Sequence, residues 1–154
     1  MPEKLSQELN QAKMTAIEIG RLQLTFFEKE LKVIRKSPKE LVSNVDMECQ
    51  NLAYEMLKNN YSYPVLSEEK RRIKDLRKKT HWIVDPLDGS HNFISGLPIF
   101  GVSIALVSNS EFLVGVIYLP IENNILFAVK GGGAFLNDSK IYVSKNNDLK
   151  KSMI

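Results

Sequence analysis

The sequence predicts an α+β domain, with two N-terminal helices packed on a mostly antiparallel sheet. Three observations carry that expectation. Up to Leu57, apolar residues recur at spacings of three and four, the helical repeat. From Tyr61 onwards the apolar runs shorten and take on strand character. Those runs are separated by short turn segments, so consecutive strands are expected to lie side by side.

The elements follow in order. Ile17, Gly20, Leu24, Phe27, Leu31 and Ile34 mark one face of a first helix. Lys36-Ser37-Pro38 stops it, because the residue before a proline is pushed out of the helical region. Ser43 with Asp46 three residues on reads as the start of a second helix. Cys49, Leu52, Ala53, Met56 and Leu57 form its apolar stripe, which makes Cys49 a core residue. YSYPVLSEE reads as a short strand ending in two glutamates, and THWIVD as a strand ending in an aspartate. VSIALV, FLVGVIYL and NILFAV follow as strands, divided by Ser-Asn-Ser and Pro-Ile-Glu-Asn turns. GGGAFLNDSKIYVS closes the series with two short pieces around Asn137-Asp138, a hairpin signal.

Composition bounds the function. With 154 residues, 44% hydrophobic and 25% charged, the chain is long enough for one domain with its own core. A net charge of +3 is too mild to imply nucleic acid. KRRIKDLRKK carries seven basic residues in ten but no interleaved aromatic to stack a base, so it reads as a solvated segment. Its sharper alternative is electrostatic steering of a phosphorylated substrate. The longest apolar run, FLVGVIYLPI, is far short of a membrane span, and MPEKLSQELNQAK lacks the apolar core of a signal peptide. A single cysteine fits a reducing compartment. The expectation is a cytoplasmic protein that binds neither membrane nor nucleic acid.

The chemistry concentrates in WIVDPLDGSHNF, Trp82 to Phe93. In isolation DPLDG is a turn. Here it follows Ile83 and Val84, so Asp85 is expected at the carboxyl end of a buried strand, with Pro86 stiffening the link to Asp88. Two carboxylates held together repel, and a hard divalent cation (magnesium, manganese or calcium) relieves the repulsion. Glu68 and Glu69, at another strand end, offer further carboxylates. Backbone amides of Gly89 and Ser90, opening a helix, suit a phosphate. Two metals about 3.5–4 Å apart activate water and stabilise a leaving oxygen in an in-line displacement, so the reaction class is phosphate-ester hydrolysis. His81 and His91 lack His or Cys partners at ligand spacing. Gly131, Gly132 and Gly133 read as a turn, because no Gly-Lys-Ser/Thr follows. Trp82 reads as core.

WIVDPLDGSHNF followed by GLPIFGVSIAL resembles the signature of the inositol monophosphatase family of magnesium-dependent, lithium-sensitive phosphatases. ELVSNVD resembles the segment before that family's second helix, SEE its metal-binding glutamate segment, and GVIYLPIENNILFAVKGGGAFLNDSKIYVS the strand run that leads to its Gly-x-Gly-Ala-Phe-x-Asn turn. The resemblance implies the family's layered fold and a role for each matching residue. Glu68 would bind the first metal and contact the attacking water. Asp85 would bridge two metals, the Leu87 carbonyl would add a ligand, and Asp88 would bind the second metal. Ser90, where the family usually has threonine, would orient the water while hydrogen-bonded to Asp46; Gly89 and Ser90 amides would hold the phosphate. Glu69 would give polar support. Val45 and Glu40 depart from the family's usual polar residue and aspartate.

The resemblance further implies a Mg2+ cofactor, with Mn2+ as a substitute, and a small phosphorylated substrate. It implies that residues 1–154 form a single domain equivalent to the family's N-terminal metal- and phosphate-binding half, with the C-terminal half absent. That half carries a further aspartate ligand, for which neither Asp138 nor Asp148 stands in. The expected activity is Mg-dependent hydrolysis of a phosphate monoester of inositol or a related sugar. The alternatives are a non-catalytic fragment that binds metal and associates with other chains, or a bisphosphate nucleotidase or fructose bisphosphatase of the same superfamily. A homodimer or a complementing chain is the expected form of association.

Overall fold

The computed structural model of the chain describes residues 5–29, 33–37, 40–60, 62–67, 79–148 and 150; at 34–37, 40–42, 59 and 60 only the backbone course is described. Helix α1 spans Ser6–Phe26 and α2 spans Asn44–Asn60. Between them, β1 (Val33–Ser37) and β2 (Glu40–Ser43) pair antiparallel as a separate two-stranded ribbon. Among the described residues, β3 (Val65–Ser67), β4 (His81–Asp88), β5 (Gly101–Ser108), β6 (Glu111–Leu119), β7 (Asn124–Val129), β8 (Gly133–Leu136) and β9 (Ser139–Ile141) form one sheet in chain order. Only β3 and β4 pair in parallel; every later pairing is antiparallel. The α+β expectation therefore holds, with two helices on a mixed, mostly antiparallel sheet. A short helix α3 (Ser90–Ile94) leaves the end of β4.

Helix α1 ends at Phe26, earlier than its apolar repeat suggested, and Ile34 lies in β1; Leu31 lies outside the described residues. The cause is a tertiary contact. Phe27 leaves the helix with an extended ψ of 135°. Its ring packs against Phe100 and Phe93, with centroids 5.0 and 5.6 Å away. Glu28 follows with φ 61°, a left-handed conformation that no helix continues through.

The buried face of α1 also differs from the predicted one. Leu9, Gln11, Ala12, Thr15, Ala16, Ile19, Gly20 and Gln23 are buried, whereas Leu24 is exposed. Small residues at 12, 16 and 20 let the helix approach the sheet closely. At Gly20 the fit is tight: a Cβ there would collide with the Tyr118 ring. That ring is anchored by its hydroxyl, which donates to Asn123 Oδ1 at 2.9 Å. Gln11 ties α1 to α2, its Nε2 donating to the Met56 carbonyl at 3.0 Å.

Helix α2 begins as its sequence indicated. Ser43 Oγ accepts from the backbone N–H groups of Val45 and Asp46, and Asp46 Oδ2 accepts from Ser43 N at 2.7 Å, the reciprocal arrangement of a capping box. Cys49, Ala53 and Leu57 lie in the core. Burial first, then the Asp46 and Glu48 carboxylates, push the Cys49 thiol from its ordinary 9.0 up to about 12. The folded chain keeps the proton where the unfolded chain releases it. Stability is thus unaffected below pH 9 and falls by about 1.4 kcal/mol per unit between roughly pH 9 and 12. Denaturant titrations at pH 8 and pH 10.5 are expected to show this loss, and Cys49→Ala to remove its share.

Both helices cover one face of the sheet, where Trp82, Val84, Val102, Ile104, Val114 and Val116 meet them. Turn chemistry sets the strand order: Asn109 and Ser110, Asn123 and Asn137 all take positive φ at the hairpin corners. The opposite face is apolar yet open. Ile83 and Ile117 are 39% and 45% exposed. A hollow of about 300 Å³ runs over Ala105, Gly115, Leu126 and Ala128. This open face is thus one exposed apolar patch of the domain.

Candidate active site

Asp85 and Asp88 are three residues apart, and an unbroken strand would aim them at opposite faces. The structure solves this with a bulge. Asp85 pairs with Ser103 and Asp88 with Gly101, so three steps along β4 match two along β5. The extra residue reverses the alternation and brings both aspartates to the open face, beside exposed Ile83. β4 thus continues past Asp85 to Asp88, three residues beyond the expected strand end. Pro86 suits the bulge because it has no N–H to leave unpaired. The Leu87 N–H donates to Asp85 Oδ1 at 3.2 Å, which holds that carboxylate over the turn.

Gly89 follows with φ 86°, and a Cβ there would lie 2.8 Å from the Ile99 carbonyl oxygen. This left-handed residue turns the chain from β4 into α3. Ser90 then lies with its Oγ 2.8 Å from Asp46 Oδ1 and 2.8 Å from the Leu87 carbonyl oxygen. The single hydroxyl proton can be donated to either acceptor. Asp46 uses its other oxygen, Oδ2, for Ser43, so this carboxylate joins the start of α2 to the start of α3. Phe93 anchors α3 by packing against Phe100, ring edge to face at 4.8 Å. A hollow of about 190 Å³ adjoins, lined by Asp88, Gly89, Asn92, Ile99 and Ile117 among others.

Asp46, Asp85, Leu87, Asp88, Gly89 and Ser90 thus stand in one neighbourhood. Glu68, Glu69 and the basic segment from Lys70 to Lys78 lie outside the described residues. Among the described residues, no group of three or more His, Cys, Asp or Glu side chains could hold a metal ion. The donors present are hard oxygens, two carboxylates and the Leu87 carbonyl, which fit a cation such as magnesium or manganese in type. His81 is buried with Nδ1 on the Lys79 carbonyl at 2.8 Å, a structural role. Gly131 and Gly133, at positive φ, form the β7–β8 turn.

A model of the inositol monophosphatase family matches residues 2–154. The chain belongs to the inositol monophosphatase family. The inositol-1-monophosphatase of Mesorhizobium japonicum is 37% identical over 139 residues, an alignment that takes in 88% of this chain and 52% of the relative. The Nus factor SuhB of Pasteurella multocida is 34% identical, over 92% of this chain and 54% of that protein. Among solved structures, the extragenic suppressor protein suhB of Bartonella henselae superposes with a TM-score of 0.85 at 34% identity, covering 94% of this chain and 57% of its own. The chain spans about half the length of the curated relatives it matches. No helix among the described residues is long and apolar enough to cross a membrane.

One residue of this neighbourhood escaped the sequence reading. Gln23 of α1 is fully buried, and its Nε2 donates to the Pro86 carbonyl at 2.8 Å and, more weakly, to the Gly101 carbonyl at 3.3 Å. Its Oε1 is buried with no partner among the described residues. Two donated bonds contribute about 1 kcal/mol each, while an unsatisfied buried oxygen costs about 1–3 kcal/mol. Gln23 is therefore close to neutral for stability. Its one sequence signal is weak: it lies three residues after Gly20, at helical spacing.

Proposed function

We propose that this chain supplies the metal- and phosphate-binding half of a phosphatase that hydrolyses a phosphate monoester of inositol or a related sugar. The observation carrying this reading is the β4 bulge, which gathers Asp85, Asp88 and the Leu87 carbonyl beside a Ser90 hydroxyl already bonded to Asp46. Family membership supports a small phosphorylated substrate and dependence on a metal. Magnesium is our choice because the donors are hard oxygens, with manganese as its substitute.

When bound, the cation supplies Lewis acidity, lowering the pKa of water and neutralising charge on the phosphoryl group. Asp85, Asp88, the Leu87 carbonyl and Glu68 would hold it. Ser90 donates its proton to Asp46, which leaves its lone pairs free to accept from a water and aim that water at phosphorus. The same choice of acceptor frees the Leu87 carbonyl for the cation. The amides of Gly89 and Ser90 stand at the start of α3, where N–H groups have no intrahelical acceptor, and would bind the phosphate oxygens. The water oxygen bonds to phosphorus and gives up a proton to solvent, while the bond from phosphorus to the alcohol oxygen breaks and that oxygen, leaving with the bonding pair, takes a proton from solvent.

The purified 154-residue chain is expected to release inorganic phosphate from inositol monophosphate with added Mg2+ and to stop when the metal is chelated. Ser90→Ala is expected to slow release by about 10²-fold, the usual contribution of a positioned proton acceptor. Absence of release from the unaltered chain at every Mg2+ concentration would contradict activity of this half on its own. It would favour the alternative, a non-catalytic fragment that binds metal and associates with other chains. The open apolar sheet face is the observation behind that alternative.

A further inference from the structure

We infer that Gln23 is a positioning residue that sets the spacing of Asp85 and Asp88 by holding the β4 bulge from beneath. The inference rests on the proposed reading of the two aspartates as metal ligands. A bulge is the least constrained part of a strand, because its extra residue stands outside the ladder. Here the extra residue falls between the two carboxylates, and their separation depends on how that loop of backbone is held.

Gln23 reaches the bulge from the opposite face, and its amide spans the two strands that form it. One donor hydrogen is aimed at Pro86 on β4, and the second atom within reach is the carbonyl of Gly101 on β5, the residue paired with Asp88. Proline leaves the bulge short of a backbone donor, and the glutamine amide supplies a side-chain one. Several neighbouring positions of the same buried stripe are filled by Ala12, Ala16, Ile19 and Gly20. A glutamine kept there with an unpartnered Oε1 is poorly explained by packing alone. Among the described residues, both hydrogen bonds of its side chain go to the bulge and the strand paired with it.

The test uses Gln23→Met, close in volume and unable to donate, with Gln23→Leu as a second apolar replacement. Amide hydrogen exchange in the metal-free chain is read at Leu87, whose N–H depends on Asp85 Oδ1. Manganese affinity is read in parallel by calorimetry, with Asp85→Asn as the control. The inference expects exchange at Leu87 to rise about tenfold while amides of α1 and of Val102–Leu106 are unchanged. It also expects Mn2+ affinity to fall about tenfold, the usual effect of removing an outer support of a ligand. Wild-type exchange at Leu87 in both variants would overturn it. So would uniform loosening of α1, β4 and β5, or failure of both variants to fold, each of which would make Gln23 a general core residue. If Asp85→Asn binds Mn2+ as tightly as the unaltered chain, the metal reading fails instead, and exchange at Leu87 still decides what Gln23 holds.

Discussion

Asp85→Asn is expected to eliminate magnesium-dependent phosphate release while leaving the fold intact. The asparagine side chain keeps the shape, and its Oδ1 can still accept from the Leu87 N–H, so the bulge persists. What disappears is the charge. One neutral amide in place of a carboxylate removes one of the two charges that would hold a hard cation. The loss in metal affinity is expected to be at least 10²-fold, since even outer supports of a ligand are worth about 10–100-fold. Phosphate release and thermal unfolding measured on the same sample separate the two effects. A variant that unfolds at the wild-type temperature and releases no phosphate fits the account. One that keeps wild-type turnover removes Asp85 from the site.

Gly89→Ala is expected to act through geometry instead. A side chain at φ 86° is strained, and the added Cβ would meet the Ile99 carbonyl oxygen at 2.8 Å, a backbone atom that cannot swing aside. Residues held in such sparsely populated conformations cost about 1–3 kcal/mol each. For a domain of this size the melting temperature is expected to fall by several degrees. The chain relieves the strain by moving α3, and Ser90 then leaves Asp46, so activity falls further than stability alone would require. Circular dichroism melting with a parallel turnover assay measures both. Unchanged melting and turnover would show that the αL turn at Gly89 does not position Ser90.

These two residues also show what the sequence made legible. Asp85, Asp88 and Gly89 lie in one short segment whose turn dipeptides and preceding apolar run announce a constrained pair of carboxylates. The β5–β9 meander was legible for a similar reason, because Ser-Asn-Ser, Pro-Ile-Glu-Asn and Asn-Asp place turn formers between runs of strand residues. Ser43 and Asp46 announced α2 through local capping chemistry. Each of these signals is carried by residues close together in the chain.

What was not legible depends on residues far apart. Phe27 ends α1 because Phe93 and Phe100 pull it away, and nothing near Phe27 in sequence states this. The buried stripe of α1 consists largely of Ala, Gly, Thr and Gln, chosen for close approach to Tyr118 and β4, so a reading by hydrophobicity selected Ile17 and Leu24 instead. The β1–β2 ribbon was missed because Leu31 and Ile34 continued a helical spacing. The bulge, and with it the common face of Asp85 and Asp88, appears only when the register with Ser103 and Gly101 is known.

The most direct test of the central claim is a calorimetric titration of Mg2+ into the unaltered chain, Asp85→Asn and Asp88→Asn. The account predicts saturable binding to the unaltered chain and at least 10²-fold weaker binding to each variant. Equal heats from all three proteins would contradict it, because the two carboxylates on the β4 bulge would then hold no cation.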